Sequence, residues 1–157
     1  MKTAVIFYSF NENCALVAEE IKSKLNADLI RLYPKSDKKR GKVARFFWSF
    51  GLMIKKNPPL KPYTLDPSVY DLIVIGAPVW AGSPASPIKT FISEAGITGK
   101  NIAFFVTHAG GKGNSLEEFK TLFAGNNIVA EADFLDPAKG KEEVKQQIAD
   151  WVEGLKG

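Results

Sequence analysis

Short apolar runs alternate with amphipathic segments along nearly the whole chain. Five runs have the length and composition of buried strands, at residues 3–8, 28–33, 72–75, 101–107 and 128–135. Helical spacing of apolar residues follows the first run, at Leu16, Val17, Ile21 and Leu25, and recurs after the third, fourth and fifth runs, the last at 141–155. Strands that alternate with helices are typical of a parallel sheet with right-handed crossovers and helices on both faces.

The chain length of 157 residues suits one such domain with a full core. We therefore predict a single α/β domain over residues 1–157, built on a doubly wound five-stranded parallel sheet in the order 2-1-3-4-5. In this order, the loops after strands one, three and four converge at the carboxyl edge of the sheet, where open α/β folds bind ligands. Those three loops are also the unusual ones in the sequence.

The loop after the third run is rich in small residues and carries a single large aromatic, Trp80. The apolar run stops at Gly76, and Pro87 suits a first helical turn, so we expect Ser86 to cap a helix that starts near Pro87. This arrangement places Trp80 at the carboxyl end of a strand. A tryptophan on a loop is costly to expose, which favours a flat ligand beneath or above it.

The loop at residues 9–14 joins the first strand directly to the first helix. Backbone N–H groups at a helix start attract anions, and Ser9, Asn11 and Asn13 add hydroxyl and amide groups, so the loop can wrap a phosphate. Plain N-capping of the helix is the alternative. The loop is not a Walker A motif, because it lacks the glycines and the lysine. The third loop carries glycines that let backbone approach a ligand: Gly110, Gly111 and Gly113.

Charge is distributed unevenly. The net charge is +4, yet ten of the 21 basic residues lie between Arg31 and Pro62 with a single acid, Asp37, which leaves 11 basic and 16 acidic residues elsewhere. Nine of these ten cations belong to an insert at about 34–66, far longer than an ordinary βα connection. Its aromatics (Phe46, Phe47, Trp48 and Phe50) fit a helix packed on the domain, a partner or substrate surface, or single-stranded nucleic acid. We expect no nucleic-acid partner.

The loop motifs resemble those of the flavodoxin family, over nearly the whole chain apart from the insert. The segment Gly76-Ala77-Pro78-Val79-Trp80-Ala81-Gly82 is similar to the family's second flavin loop, and 107–113 is similar to its third, without a second aromatic. In the first loop, Tyr8, Ser9 and Asn13 match the family's phosphate-binding pattern, whereas Asn11, Glu12 and Cys14 depart from it.

The resemblance implies non-covalently bound FMN, with its phosphate at the first loop and Trp80 packed on the isoalloxazine. A carboxylate at Glu12 should weaken phosphate binding unless it turns to solvent. The resemblance extends the cofactor site over three loops: Ser9, Phe10, Asn11, Glu12, Asn13 and Cys14; Pro78, Val79, Trp80, Ala81 and Gly82; Thr107, His108, Ala109, Gly110, Gly111 and Gly113. It implies no catalytic side chain, because the flavin supplies the redox chemistry.

Two candidate residues have competing interpretations. His108, the single histidine, either donates a hydrogen bond or a proton near the flavin or has a structural role; with no cluster of metal ligands beside it in sequence, we predict no metal site. Cys14, at a helix N-terminus, either has a lowered pKa or acts as a small filler.

Three function classes follow from the resemblance and the charge pattern. The first is an electron carrier between redox partner proteins, and the second is an NAD(P)H-dependent FMN enzyme that reduces quinones or other small acceptors. The third is a flavin-free binding module, which Glu12 keeps open. A single cysteine and the lack of any apolar run near ~20 residues fit a cytoplasmic protein without a membrane span. The oligomeric state stays open.

Overall fold

The computed structural model describes residues 1–36, 51 and 57–157. Apart from Gly51, which is helical, the predicted helix of the insert lies outside the described residues, as does its whole aromatic run. Five parallel strands form the sheet: β1 (Thr3–Phe7), β2 (Asp28–Arg31), β3 (Leu72–Trp80), β5 (Asn101–His108) and β6 (Asn127–Leu135). A two-residue strand, β4 (Ser83–Pro84), pairs antiparallel with β3.

The strand order is β2-β1-β3-β5-β6, which confirms the predicted arrangement of the five parallel strands. Within the described residues, four helices flank the sheet: α1 (Asn13–Leu25), α2 (Ser86–Ala95), α3 (Ser115–Leu122) and α4 (Glu142–Gly154), the last of which follows β6. Two short 3₁₀ turns, Pro67–Val69 and Pro137–Lys139, precede β3 and α4.

The sheet separates two buried apolar layers, because successive side chains of a strand point to opposite faces. In β1, Ala4 and Ile6 join the layer covered by α2 and α3, whereas Val5 and Phe7 join the layer covered by α1 and α4. A strand buried on both faces needs a continuous apolar run, which is why these strands are legible in the sequence.

The third strand is longer than predicted. We expected it to end at Gly76, but β3 continues to Trp80, still paired with β5 at Ala77 and Pro78 before it turns back into β4. Gly76 is a packing position within the strand rather than a terminator, since a Cβ there would overlap the ring of Phe105. The helix α2 begins at Ser86, with Ala85 as its N-cap residue, so the predicted capping by Ser86 is wrong.

The two ends of the insert meet beside the sheet. Pro34 and Leu60 form an antiparallel bridge. Backbone N–H groups of Lys35 and Lys61 donate to the carbonyls of Pro59 and Tyr33, at 2.8 and 2.7 Å. We call this paired base, Tyr33–Lys35 with Pro59–Lys61, the insert stem. It follows β2 directly, on the carboxyl side of that strand.

Within the described ranges, no helix is long and apolar enough to cross a membrane. The same part of the chain holds no group of three or more His, Cys, Asp or Glu side chains arranged to bind a metal ion.

Candidate functional site

The side chains of the first loop hold the loop itself in shape. The Ser9 hydroxyl donates to the Asn11 carbonyl and accepts from the N–H of Ala15 at 3.3 Å. The Asn11 side-chain oxygen accepts from the N–H of Asn13 at 3.2 Å, and the Asn13 oxygen accepts from Ala138 at 2.7 Å. These three side chains therefore bind backbone groups around the start of α1. This is the role that the sequence analysis gave as the alternative to phosphate binding.

The backbone of the same loop remains suited to an anion. Among the hydrogen bonds of the described residues, none is donated by the N–H groups of Asn11, Glu12 or Cys14. They lie at the start of the 13-residue helix α1, where the helix dipole adds partial positive charge. Glu12 is the N-cap residue, and its side chain is exposed and makes no capping bond. The loop therefore offers donors to an anion chiefly through its backbone.

Cys14 connects the first loop to the third. Its Sγ lies 3.1 Å from the Thr107 hydroxyl, and both residues are buried. Burial raises the pKa of Cys14 to about 12, outweighing the hydrogen bond from Thr107 and the charge of Arg31. The hypothesis of a lowered thiol pKa is therefore wrong, and Cys14 fills core space at the base of the site.

Trp80 belongs to an aromatic cluster that spans the first and second loops. Its ring meets Tyr8 edge to face at 5.5 Å between centroids and Phe10 at 6.2 Å. Edge-to-face contacts of this kind hold a ring at a fixed angle. Trp80 itself is partly exposed. The contact with Phe10 was not evident in the sequence, because an aromatic inside a polar loop gives no indication of its partner.

A tight hairpin carries Trp80 to the edge of the sheet. Ala81 and Gly82 both have positive φ, at 50° and 76°, between the paired residues Trp80 and Ser83. Positive φ at both central residues is the signature of a type I′ turn, which matches the twist of the flanking strands. For Ala81 this conformation is strained, since its Cβ crowds the backbone.

The second and third loops are packed directly against each other. The N–H of Asn114 donates to the Gly82 carbonyl at 3.0 Å. A Cβ at Gly113 would overlap the Gly82 Cα and lie 2.8 Å from its carbonyl oxygen. Gly113 is therefore required by close approach of two backbones. Gly110 and Gly111 differ, because a Cβ at either would meet open space.

A polar cluster that the sequence did not reveal supports this hairpin. Glu118 of α3 accepts from the Ser83 hydroxyl at 2.5 Å and from Lys89 of α2 at 2.7 Å. Burial by itself raises the pKa of Glu118, but the hydrogen bonds from Lys89 and Ser83 outweigh it and the net pKa is lowered. The carboxylate thus ties β4, α2 and α3 together. Its partners are 35 and 29 positions away in the chain, so no local pattern predicts the cluster.

His108 ends β5 and bonds to the neighbouring strand. Its Nε2 lies 3.0 Å from one Asp133 oxygen, and Lys112 lies 2.8 Å from the other. Burial raises the pKa of Asp133, but the bonds from Lys112 and His108 outweigh it, and the net pKa is lowered. Nδ1 of His108 is buried without a hydrogen-bond partner in the described part of the chain. The histidine anchors the third loop to β6, which supports its structural interpretation.

The three predicted loops meet at one edge of the sheet. Pro78, Val79 and Trp80 were predicted as loop residues but lie inside β3, with Trp80 as its last residue. Ala109, Gly110 and Gly111 are exposed beyond β5. Unbonded backbone donors, a partly exposed tryptophan and a glycine loop in open space together fit a phosphate-bearing aromatic cofactor such as FMN.

Comparisons with known proteins agree with this geometry. The structure is similar to a flavoprotein from Lactobacillus acidophilus NCFM in complex with FMN, at 25% identity and a TM-score of 0.70 over 96% of this chain and 97% of that one. It is also similar to proteins from Bacteroides eggerthii DSM 20697 (22% identity, TM-score 0.74, 97% and 96% covered) and Bacteroides uniformis ATCC 8492 (21%, 0.76, 97% and 97%).

No curated protein matches the sequence. A family model described as Flavodoxin matches residues 2–155, nearly the whole chain. The chain belongs to the flavodoxin family.

Proposed function

We propose that this protein binds one FMN non-covalently at the convergent loops and uses it to carry electrons between redox partners. The observation that carries the proposal is that the three loops contact one another directly. Cys14 joins the first to Thr107, Gly82 joins the second to Asn114, and Trp80 rests on Phe10. Membership of the flavodoxin family and the FMN complex of the Lactobacillus relative support the same cofactor.

Each loop has a distinct role in this proposal. The N–H groups of the first loop hold the phosphate, and Trp80 packs against the ring system and excludes water from one side. The flavin, when bound, supplies one- and two-electron chemistry, so the chain needs no catalytic side chain. The aromatic face of Trp80 disfavours negative charge on a ring stacked against it, because the face of a π-system is itself electron-rich.

Flavin binding tests the proposal directly. The purified protein should carry one flavin per chain, and the apo-protein titrated with FMN, FAD and riboflavin should prefer FMN. A single anion-binding loop beside one aromatic platform matches one phosphate and one ring system. Riboflavin binding as tight as that of FMN would contradict the role of the first loop, and a colourless protein that binds none of the three would overturn the whole proposal.

An enzymatic role is the second candidate, and the insert stem is the observation that favours it. The stem follows β2 at the same edge of the sheet as the first loop. The ring centroid of Tyr33 lies 5.5 Å from Cζ of Arg31 and 5.8 Å from Nζ of Lys61. An insert rooted there can shape access of a small acceptor to the flavin. Turnover of a quinone with NADH or NADPH by the holoprotein alone would establish this candidate, whereas flavin reduction that requires a partner protein would favour the carrier.

A further inference from the structure

Arg31 is a cation built into the base of the first loop. It is the last residue of β2, paired in register with Phe7 of β1. One guanidinium nitrogen donates to the Ser9 carbonyl at 3.1 Å, and the guanidinium lies 5.9 Å from the Phe7 ring centroid and 5.5 Å from that of Tyr33. Two ring contacts and a backbone bond fix the cation beneath the loop that would hold a phosphate.

The charge of Arg31 lacks a compensating carboxylate in the part of the chain that the structure describes. No acidic side chain there comes within ion-pair distance of it. Its Nε is buried, and no described group accepts a hydrogen bond from it. Partly buried cations are ordinarily paired, because removing a charge from water is costly. An arginine with an unpaired charge and a buried Nε that lacks an acceptor can bind an anion.

The field of Arg31 reaches the start of α1. Beside the larger effect of burial, which raises the pKa of Cys14, the positive charge of Arg31 acts to lower it. Cys14 is the second residue of that helix, so the cation acts on the same backbone that offers unbonded N–H groups. The loop itself, residues 9–14, contains no lysine or arginine and one acid, Glu12.

We propose that Arg31 is the residue that makes this site select a flavin bearing a phosphomonoester over the same flavin without one. The inference rests on the proposed FMN function and deepens it. The phosphate of FMN carries nearly two negative charges, and a guanidinium keeps its charge at every accessible pH. Arg31 offsets the repulsion that Glu12 exerts on the phosphate and supplies the positive charge that the neutral loop backbone lacks.

Titration of native and variant proteins with two ligands separates phosphate recognition by Arg31 from a structural role in the loop. The native protein, Arg31→Gln and Arg31→Lys are each prepared as apo-protein and titrated with FMN and with riboflavin, which differ only in the phosphate. Arg31→Gln should weaken FMN binding about tenfold, in the range of a charge-assisted contact, while riboflavin affinity changes less than about twofold. Arg31→Lys, which keeps the charge, should fall between Gln and the native protein.

Lys22→Gln is the matched control. Lys22 lines the same surface groove as Arg31 and Glu12 but lies in the last turn of α1, where it pairs with Glu19 at 3.9 Å. Removal of its charge should leave the ratio of FMN to riboflavin affinity unchanged. An equal change in the control and in Arg31→Gln would mean that only net charge matters and would overturn the inference.

The other outcomes are equally decisive. If Arg31→Gln weakens FMN and riboflavin equally, Arg31 only shapes the loop through Ser9, and the inference is wrong while FMN binding stands. Unchanged FMN affinity in Arg31→Gln also overturns it. If the native protein binds no flavin, the proposed function itself fails. Should Arg31→Gln fail to fold, Arg31→Lys decides. A ratio of FMN to riboflavin affinity below the native value in Arg31→Lys, with a native ratio in Lys22→Gln, supports the assignment, and a native ratio in Arg31→Lys overturns it.

Discussion

Gly113 of the third loop packs against Gly82 of the second so closely that a side chain at Gly113 would overlap the backbone of Gly82. The same pair of loops is joined by the hydrogen bond from Asn114 to the Gly82 carbonyl. The two loops therefore form one rigid unit beside Trp80. The shape of the candidate site depends on this contact between the backbones of the two loops.

Gly113→Ala should separate these two loops and destabilise the fold. Gly113 has φ +54°, so alanine there incurs the left-handed penalty of about 1–2 kcal/mol in addition to about 1–3 kcal/mol for overpacking. Urea unfolding measures the sum, and FMN affinity should fall with it. Gly96→Ala is the control, because Gly96 has nearly the same φ, +56°, with no atom within 4 Å of a Cβ. Equal losses in the two variants would show that the contact with Gly82 contributes nothing.

Trp80→Ala should weaken FMN binding by about 1–3 kcal/mol, the range for an aromatic side chain stacked on a heterocycle. It should also make the reduced state of the flavin easier to reach, and so raise the midpoint potential, because the electron-rich face that disfavours an anionic reduced ring is gone. Fluorescence titration gives the affinity, and spectroelectrochemistry gives the midpoint potential. Trp80→Phe, which keeps a ring beside Phe10, should lose less. If both quantities stay at the native value in Trp80→Ala, the tryptophan is a packing residue of the aromatic cluster and the flavin lies elsewhere.

The sequence was sufficient to predict the strand order but not the details of the loops. Buried strands need continuous apolar runs, so β1, β3 and β5 are legible without any tertiary information. The end of β3 is not, because Gly76 looks like a terminator and becomes a packing position only once Phe105 of β5 lies across it.

The candidate site was predicted as three loops, and its internal contacts could not be. Ser9 and Asn13 belong to a pattern that fits both phosphate binding and capping, and only the structure shows their side chains engaged with Ala15 and Ala138. Arg31 and Glu118 gave no signal, because each acts on a residue more than 20 positions away in the chain. Contacts of that range are determined by packing rather than by local pattern.

Glu12→Gln should tighten FMN binding, most clearly at low ionic strength. Glu12 is exposed at the start of α1, where a carboxylate repels a phosphate held by the loop backbone. Salt screens exposed charges over about 8–10 Å, so the gain should shrink as salt is added. Titration at two salt concentrations measures it, with Glu19→Gln, an exposed acid farther along α1, as the control. Identical FMN affinity in native protein and Glu12→Gln at low salt would show that this carboxylate points away from the phosphate.

Asp133→Asn should destabilise the protein at neutral pH but not in strong acid. The folded-state pKa of Asp133 is lowered below its ordinary value of 3.8, so its contribution is present above that value and is lost as pH falls through the folded pKa. Since the side chain is 32% exposed, the loss should be about 0.5–1 kcal/mol at pH 7. Unfolding free energies measured from pH 7 to pH 2 should converge for the two proteins. A constant difference at every pH would assign the effect to packing rather than to the negative charge of Asp133 and its bonds with Lys112 and His108.

The basic insert should govern encounter with an acidic redox partner while leaving the flavin site intact. Ten cations in residues 31–62 against one acid produce a local field that can steer an anionic partner, and such steering falls steeply with salt. Charge reversal at Lys38, Lys39 and Arg40, which lie outside the described residues, should therefore slow partner-dependent flavin reduction at low salt and leave FMN affinity unchanged. Charge reversal at Lys139, Lys145 and Lys156 is the matched control, since these exposed lysines pair with acids in or flanking α4, away from the insert stem. Stopped-flow reduction across an ionic-strength series measures both sets.

The enzyme alternative makes a different forecast, because deletion of residues 43–56 would then alter quinone turnover with NADH or NADPH in the absence of any partner. If salt, charge reversal and deletion all leave the rates unchanged, the insert has neither the partner-steering role nor the enzymatic role. It would then only add packing to the domain.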